Sequence, residues 1–337
     1  MSHLRKGTGV AKPVERPAAA ILAEAAAAAG HAPSVHNTQP WRWRVGGGAL
    51  DLYAERGRQL RVTDPDGRLL HVSCGAALHH ARLALATEGW QAAVHRLPDE
   101  AEPDHLARLT LASHGSVTPQ EMRLFQAIAV RHTDRRPVSA TPVDPAAVDA
   151  VAAAALDEGA HLHVLGRDQV LELASAADAA QRTEVADADW RAELAYWAGA
   201  GRAEGVGVPD AAIPAGPTRT TVPSRDFGHP GTLPVSAEHD RQAVYAILYG
   251  DTDDAAGWLR GGEALSLAWL TATERGLSLL PFSGVIEVDR TREALRRLLS
   301  GVGHPYLVLR LGVPDPDHAG APHTPRLPAQ QLIEVVD

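Results

Sequence analysis

The chain has 337 residues, 45% apolar and 22% charged, with a net charge of −9. That is ordinary globular composition with core enough for one large or two medium domains, and the acidic balance excludes a basic nucleic-acid-binding face as its main business. The single cysteine, Cys74, excludes an internal disulfide and a cysteine-rich zinc site. No apolar run approaches the roughly 20 residues of a bilayer span, and no signal-peptide core opens the chain, so the expectation is a cytoplasmic protein without membrane contact. Lys6 and Lys12 are the only lysines. With so much Ala, Gly, Asp and Pro, arginine abundance reflects coding bias and carries little functional information.

Residues 1–15 are polar and predict an arm. Pro17 opens an alanine-rich helix over 18–29, with Gly30 as its stop. Next comes Ala32-Pro33-Ser34-Val35-His36-Asn37-Thr38-Gln39-Pro40-Trp41. Its prolines remove backbone donors and bias the preceding residues away from helix. On its residues alone this stretch is either a helix-to-strand connection or a loop whose polar side chains meet a ligand. Segments 41–45 and 49–54 flank Gly46-Gly47-Gly48 and predict a β-hairpin. A helix over 75–90 carries Leu78, Ala81 and Leu85 on one face, and a strand over 104–112 follows.

The second part begins near Thr118 with a helix over 119–130, which runs into Arg131-His132-Thr133-Asp134-Arg135-Arg136-Pro137. If extended, that run points residues 131, 133 and 135 to one side. Guanidinium forks and a threonine hydroxyl suit phosphate oxygens; a solvated basic turn paired with Asp134 is the alternative. A helix over 145–156, a strand over 161–165 and a long helical stretch over 169–200 with Trp190 and Trp197 follow. Residues 205–234 are dense in Pro, Gly and Thr and lack periodicity, as lids and binding loops often do. A strand over 243–249, a helix over 262–275, a strand over 306–311 and an extended tail over 322–337 complete the chain. Residues 75–89 and 262–276 echo one another, with Gly75/Gly262, Leu78/Leu265, Ala81/Ala268 and Gly89/Gly276 identical. The echo predicts two related halves, 1–117 and 118–337, packed as a pseudo-dimer; two generic amphipathic helices are the alternative.

Several chemistries are missing from the sequence. There is no His-Glu-x-x-His, and the adjacent His79 and His80 point to different helix azimuths, so the 17 histidines predict no metal site. No Gly-x-Ser-x-Gly elbow, P-loop or Gly-x-Gly-x-x-Gly occurs. Cys74 beside an apolar helix start reads as a small core residue, and no side chain is singled out as catalytic.

Pro33-Ser34-x-x-Asn37-x-Gln39-Pro40-Trp41 resembles the Pro-Ser-x-x-Asn-x-Gln-Pro-Trp loop of FMN-dependent nitroreductases. Arg131-x-Thr133-x-Arg135 resembles their phosphate motif, and Thr324-Pro325-Arg326-Leu327-Pro328 their C-terminal arginine segment. In order and length the chain is most similar to the Acg group, single-chain nitroreductase-like proteins of actinobacteria. The resemblance implies an α+β nitroreductase-like fold, a single-chain pseudo-dimer with a lid insertion at about 205–234 in the second half. It also implies one FMN site between the halves, because the Pro-Ser loop lies only in the first and the arginine motif only in the second. By the same resemblance Arg131, Thr133 and Arg326 hold the phosphate, and Arg135 sits near the pyrimidine edge of the ring. Pro33, Ser34, Val35, Asn37 and Gln39 belong to the loop on the ring and ribityl side, Val35 standing where the family usually has a second serine. Ser283 and Gly284 present backbone N–H groups to the ring.

Two functions remain open at this point. One is an NAD(P)H oxidoreductase passing hydride through the flavin to a nitro compound or quinone; the other is a protein that stores FMN beneath a closed lid. Because the halves already mimic a dimer, a monomer is compatible with either.

Overall fold

The same small topology is built twice along the chain. The computed structural model describes residues 16–199, 205–235, 239–315 and 323–336; the expected arm at 1–15, with Lys6 and Lys12, lies outside them, as do Ala200, Pro322 and Asp337. In chain order the elements are α1 (Ala18–Ala29), β1 (Trp41–Gly46), β2 (Ala49–Ala54), α2 (Arg68–Thr87), β3 (Trp90–Arg96), β4 (His105–His114), α3 (Pro119–Val130), α4 (Pro145–Asp157), β5 (His161–Val164), α5 (Arg167–Ala186), α6 (Ala188–Trp197), β6 (Val244–Gly250), α7 (Ala255–Glu274), β7 (Ser278–Phe282), α8 (Gly284–Glu287), α9 (Asp289–Leu298), β8 (His304–Gly312), α10 (Ala329–Leu332) and β9 (Ile333–Val335).

One sheet has the order β3-β4-β2-β1-β9 and the other β5-β6-β8-β7. Read from the strand that follows the long helix, both run in the same sense: β3-β4-β2-β1 matches β7-β8-β6-β5. The hairpin turn of the first half is Gly47-Gly48, with φ of 56° and 77°. Positive φ at both central residues matches the turn to the strand twist and favours glycine. In the second half the corresponding connection, from β5 to β6, instead holds α5, α6 and the segment over 205–235.

The halves join through α2 and α7. Both helices are 20 residues long and begin and end 187 positions apart, the spacing that also separates His79 from Ser266, whose side chains are hydrogen bonded at 2.8 Å. A Cβ on Gly75 would lie 1.9 Å from the Leu259 carbonyl oxygen, and one on Gly262 would lie 2.0 Å from that of Val72. Each glycine thus meets the carbonyl three residues before its counterpart, the reciprocity a two-fold axis requires. The repeated glycines are the crossing point of the pseudo-dimer.

Several expected boundaries move. α2 and α7 each start well before the expected 75 and 262. β3 was not expected, and the helical stretch over 169–200 is two helices. Asp187, with extended ψ of 122°, ends α5, and its carboxylate accepts from the N–H groups of Asp189 and Trp190 to start α6. Gly30 does not adopt the left-handed stop conformation; its φ is −57°, and it caps α1 through its own N–H. The tail is not wholly extended. After 323–328 it forms α10 and then β9, which pairs parallel with β1, so the end of the chain sits in the sheet of the first half. Among the described residues no helix is long and apolar enough to cross a membrane.

Candidate functional site

A cavity lies where the loop after α1, the run after α3, α5, the loop after β7, the tail and the 205–235 segment converge on α2 and α7. The loop after α1 is held open by its own polar groups. The Ser34 hydroxyl accepts from the Gln39 N–H at 2.9 Å, and the Val35 N–H donates to the Ser73 hydroxyl of α2 at 3.1 Å. Arg58 donates to the carbonyls of Gln39 and Trp41 from below at 2.8 and 2.7 Å. His36, Asn37 and Gln39 have φ of 45°, 55° and 50°. Such backbone is costly for residues with a side chain and persists only where the surroundings over-determine it.

Those surroundings include the tail and the 205–235 segment. Asn37 donates to the carbonyls of Gly207 at 3.1 Å and Pro325 at 2.9 Å. Its own carbonyl oxygens accept from the Gly207 N–H at 3.3 Å and from Arg326 at 3.0 Å. Gln39 donates to the Gly205 carbonyl at 2.6 Å and accepts from the Leu327 N–H at 3.0 Å. The loop is therefore the clasp that ties three separate segments together.

One end of the cavity is cationic. Arg131 and Arg326 both donate to the His31 carbonyl, at 3.3 and 3.4 Å, and neither has a carboxylate partner among the described residues. Loss of water, reinforced by Arg326, pushes Arg131 down to about 9; loss of water alone pushes Arg326 down to about 10. The Nε atoms of both are buried without a partner. Arg131 also lies 4.5 Å over the Trp269 ring of α7. Two adjacent guanidinium groups with spare donors and no counter-charge form a site for a polyoxygen anion.

The alternation expected of the 131–136 run is present. Arg131, Thr133 and Arg135 line the cavity, and a bridge between Thr133 and Leu279 pins the run to β7. Asp134 and Arg136 turn the other way and pair at 2.8 Å. Arg310 donates to both of their carbonyls, at 3.0 and 2.5 Å. The alternative of a solvated basic turn paired with Asp134 is met in its pairing, which Asp134 makes with Arg136, but not in its solvation, since Arg131, Asp134 and Arg136 are all buried.

At the other end Arg135 donates to the Ala212 carbonyl at 3.1 Å and lies 5.3 Å over Phe227. Burial, with Arg225 adding to it, pushes Arg135 down to about 10. Arg225 reaches from the 205–235 segment to Glu287 at 2.6 Å and Glu184 at 3.4 Å. His36 lies between Arg225, at 3.4 Å, and the edge of Phe227, and burial beside Arg225 and Arg135 holds it neutral.

Pro33, Ser34, Val35, Asn37, Arg131, Thr133, Arg135, Ser283, Gly284 and Arg326 all line this one cavity. Gln39 does not; it is buried behind the wall as part of the clasp. Sequence reasoning missed Trp269 and Glu184. The usable signal for Glu184 was a carboxylate continuing the buried stripe of Leu173, Ala177 and Ala180 along α5. Among the described residues no group of three His, Cys, Asp or Glu is placed to hold a metal ion. Cys74 is buried against the Pro40 carbonyl, and burial pushes its thiol up.

These two halves, with one cationic cavity between them, have counterparts among known proteins. A Mycobacterium tuberculosis protein provisionally named an NAD(P)H nitroreductase is 39% identical over 310 residues, covering 90% of this chain and 88% of that protein. The acg protein of the same organism, with the same provisional activity in its name, is 30% identical over 318 residues, covering 94% and 96%. The chain belongs to this Acg family of nitroreductase-like proteins. A Bacteroides fragilis nitroreductase crystallised with FMN is a similar solved structure, with a TM-score of 0.38 and 13% identity, covering 60% of this chain and 93% of that one. No protein-family model matches the chain.

Proposed function

We propose that the chain binds FMN in the cavity between its halves and works as an NAD(P)H oxidoreductase of nitroreductase type, acting on nitro compounds or quinones. The observation that carries this reading is the Arg131–Arg326 pair, buried, among the described residues, without a carboxylate partner and with an unpartnered Nε on each. A phosphate would supply the missing acceptors and counter-charge, and Thr133 and Thr324 line the same cavity, the Thr324 hydroxyl accepting from Arg326. Pro33, Val35 and Trp269 offer apolar surface to a flat ring, and Arg135 at the far end favours negative charge on a ring that accepts electrons. Ser283 and Gly284 open the short helix α8 there, where backbone N–H groups are free to donate. Bound in this way, FMN supplies two-electron chemistry between a nicotinamide and an acceptor; the chain itself positions the ring, balances its charge and excludes water.

A second reading has its own observation. The 205–235 segment is fastened across the cavity by Asn37, Gln39, Arg135 and the buried Arg225–Glu287 pair. A segment that stays fastened would store FMN and keep nicotinamide out. The visible spectrum of the purified protein under anaerobic conditions separates the two. Bleaching of a yellow protein by NADPH or NADH supports the oxidoreductase, and bleaching by dithionite alone supports storage. A colourless protein that refuses added FMN refutes both.

A further inference from the structure

The apolar stripe of α5 ends in an acid. Leu173, Ala177 and Ala180 are buried along it, and Glu184 continues the stripe into the cavity wall. A methyl group at Gly284 would lie 2.7 Å from Glu184 Oε1 and 3.0 Å from Arg225 Nη2. The Glu184 carboxyl therefore rests against the backbone that opens α8.

Its charge environment is lopsided. Arg225 is shared by Glu184 at 3.4 Å and by the fully buried Glu287 at 2.6 Å. Behind Arg225 stand Arg135 and the neutral His36, and behind Glu287 stands Asp64. One guanidinium balances one carboxylate, and Glu287 takes it through the shorter, hydrogen-bonded contact. Among the described residues Glu184 has only the longer ion contact. A carboxylate that shares its cation with a second carboxylate holds its proton more tightly than one with a cation to itself. Burial, only partly countered by Arg225, raises the Glu184 carboxyl, and the Glu287 charge adds to this.

We propose that Glu184 is the proton source of the cavity, serving an acceptor that takes up a hydride and a proton together, such as a quinone. This rests on the oxidoreductase reading above. The quinone receives two electrons as the hydride that originates on NAD(P)H. The Glu184 O–H bond breaks, a new O–H bond forms on the quinone oxygen to give the hydroquinone, and water reprotonates the carboxylate. The donor is oxidised to NAD(P)⁺, so one hydride and one proton are consumed per quinone.

The test uses the full chain as wild type, Glu184→Gln and Glu184→Asp. Infrared titration reads the carboxyl directly: the wild type is expected to show a protonated-carboxyl band that survives to higher pH than an ordinary glutamate near 4.3, and Glu184→Gln is expected to lose it. Stopped-flow reoxidation of dithionite-reduced protein compares benzoquinone, which needs a proton, with ferricyanide, which does not. The ratio of the two rates is expected to fall about 10²-fold in Glu184→Gln, the scale of general acid catalysis, and to recover substantially in Glu184→Asp. An unchanged ratio, or equal slowing with both oxidants, overturns the proposal. So does the absence of a band lost on substitution, a result that counts even for protein without flavin. Dithionite keeps the two questions apart, because failure of NADPH to reduce the wild type refutes the oxidoreductase reading and leaves the band and the ratio to judge Glu184.

Discussion

Replacing Arg131 by Met separates a ligand-binding arginine from a structural one. Arg131 is buried and held by one 3.3 Å bond to a carbonyl, with its Nε unpartnered. An incompletely satisfied buried donor costs roughly 1–3 kcal/mol. Opposing that cost, its guanidinium over Trp269 at 4.5 Å stabilises the charged form by about 0.5–2 kcal/mol. The two nearly cancel, and Met keeps much of the side-chain volume against the indole. The flavin-free variant should therefore unfold in urea within about 1 kcal/mol of the wild type. FMN binding has no such compensation. Each charge-assisted bond to a phosphate oxygen contributes about 1.5–3 kcal/mol, so the dissociation constant read by flavin fluorescence should rise about 10- to 10²-fold per bond lost. Unchanged FMN affinity would falsify the phosphate assignment. A loss of several kcal/mol in the flavin-free protein would mean that Arg131 holds the fold instead.

Four further substitutions probe the frame around the site. Arg225→Ala leaves the buried Glu287 carboxylate without its cation, which should destabilise the chain by about 3 kcal/mol and hasten protease nicking within 205–235; unchanged nicking would show that this pair does not fasten the segment. Gly75→Ala puts a Cβ 1.9 Å from a backbone carbonyl of α7, so the helices must separate at a cost of about 3 kcal/mol. Gly115→Ala, in open space, should change urea stability by less than about 0.5 kcal/mol. Asp253 is held down to about 2, the hydrogen bonds from Arg292 and Trp258 prevailing over the burial that opposes them. Discounted for solvent screening at this exposed carboxylate, its lowered pKa contributes about 1 kcal/mol that is fully present above about pH 4 and lost as pH falls through about 2. Asp253→Asn should therefore be less stable than the wild type at pH 7, with the gap closing on acidification.

What was legible in the sequence follows from what each signal measures. α1 and α3 keep their expected limits because proline opens each and a non-helical run ends each. The starts of α2 and α7 were hidden for different reasons. α2 is capped from a distance, Asp64 accepting from the N–H groups of Leu69 and Leu70, while α7 has Asp254 as an ordinary cap but opens on Ala255-Ala256-Gly257, which lacks an apolar period. β3 was missed because its alternation is shallow, with half-buried residues between exposed ones. Within the site, Arg131, Thr133 and Arg135 were readable because alternate residues of an extended run share a side. Gln39 was misplaced because a motif gives identity and order, and burial behind the wall depends on where Gly205 and Leu327 arrive. Glu184 and Trp269 lie on helices whose faces acquire meaning only when another half packs against them.

The pseudo-symmetry also explains why the two ends of this scaffold differ. Moving by the 187-residue offset, Trp269 corresponds to Arg82 and Ser283 to Arg96. Arg82 and Arg96 both bind Glu263, each at 2.7 Å, and Glu263 is fully buried. Arg82 also binds Glu158 at 2.7 Å, in the connection that takes the topological place of the Pro33–Pro40 loop. The equivalent position is thus filled by cations already matched to carboxylates, with His79 beside them held neutral by burial, near 3. Buried charges that satisfy one another leave nothing for a ligand to complete, whereas Arg131 and Arg326 have no carboxylate of their own among the described residues. The loop after α1 therefore meets a cavity whose charge is unbalanced, and its counterpart after α4 meets one whose charge is closed.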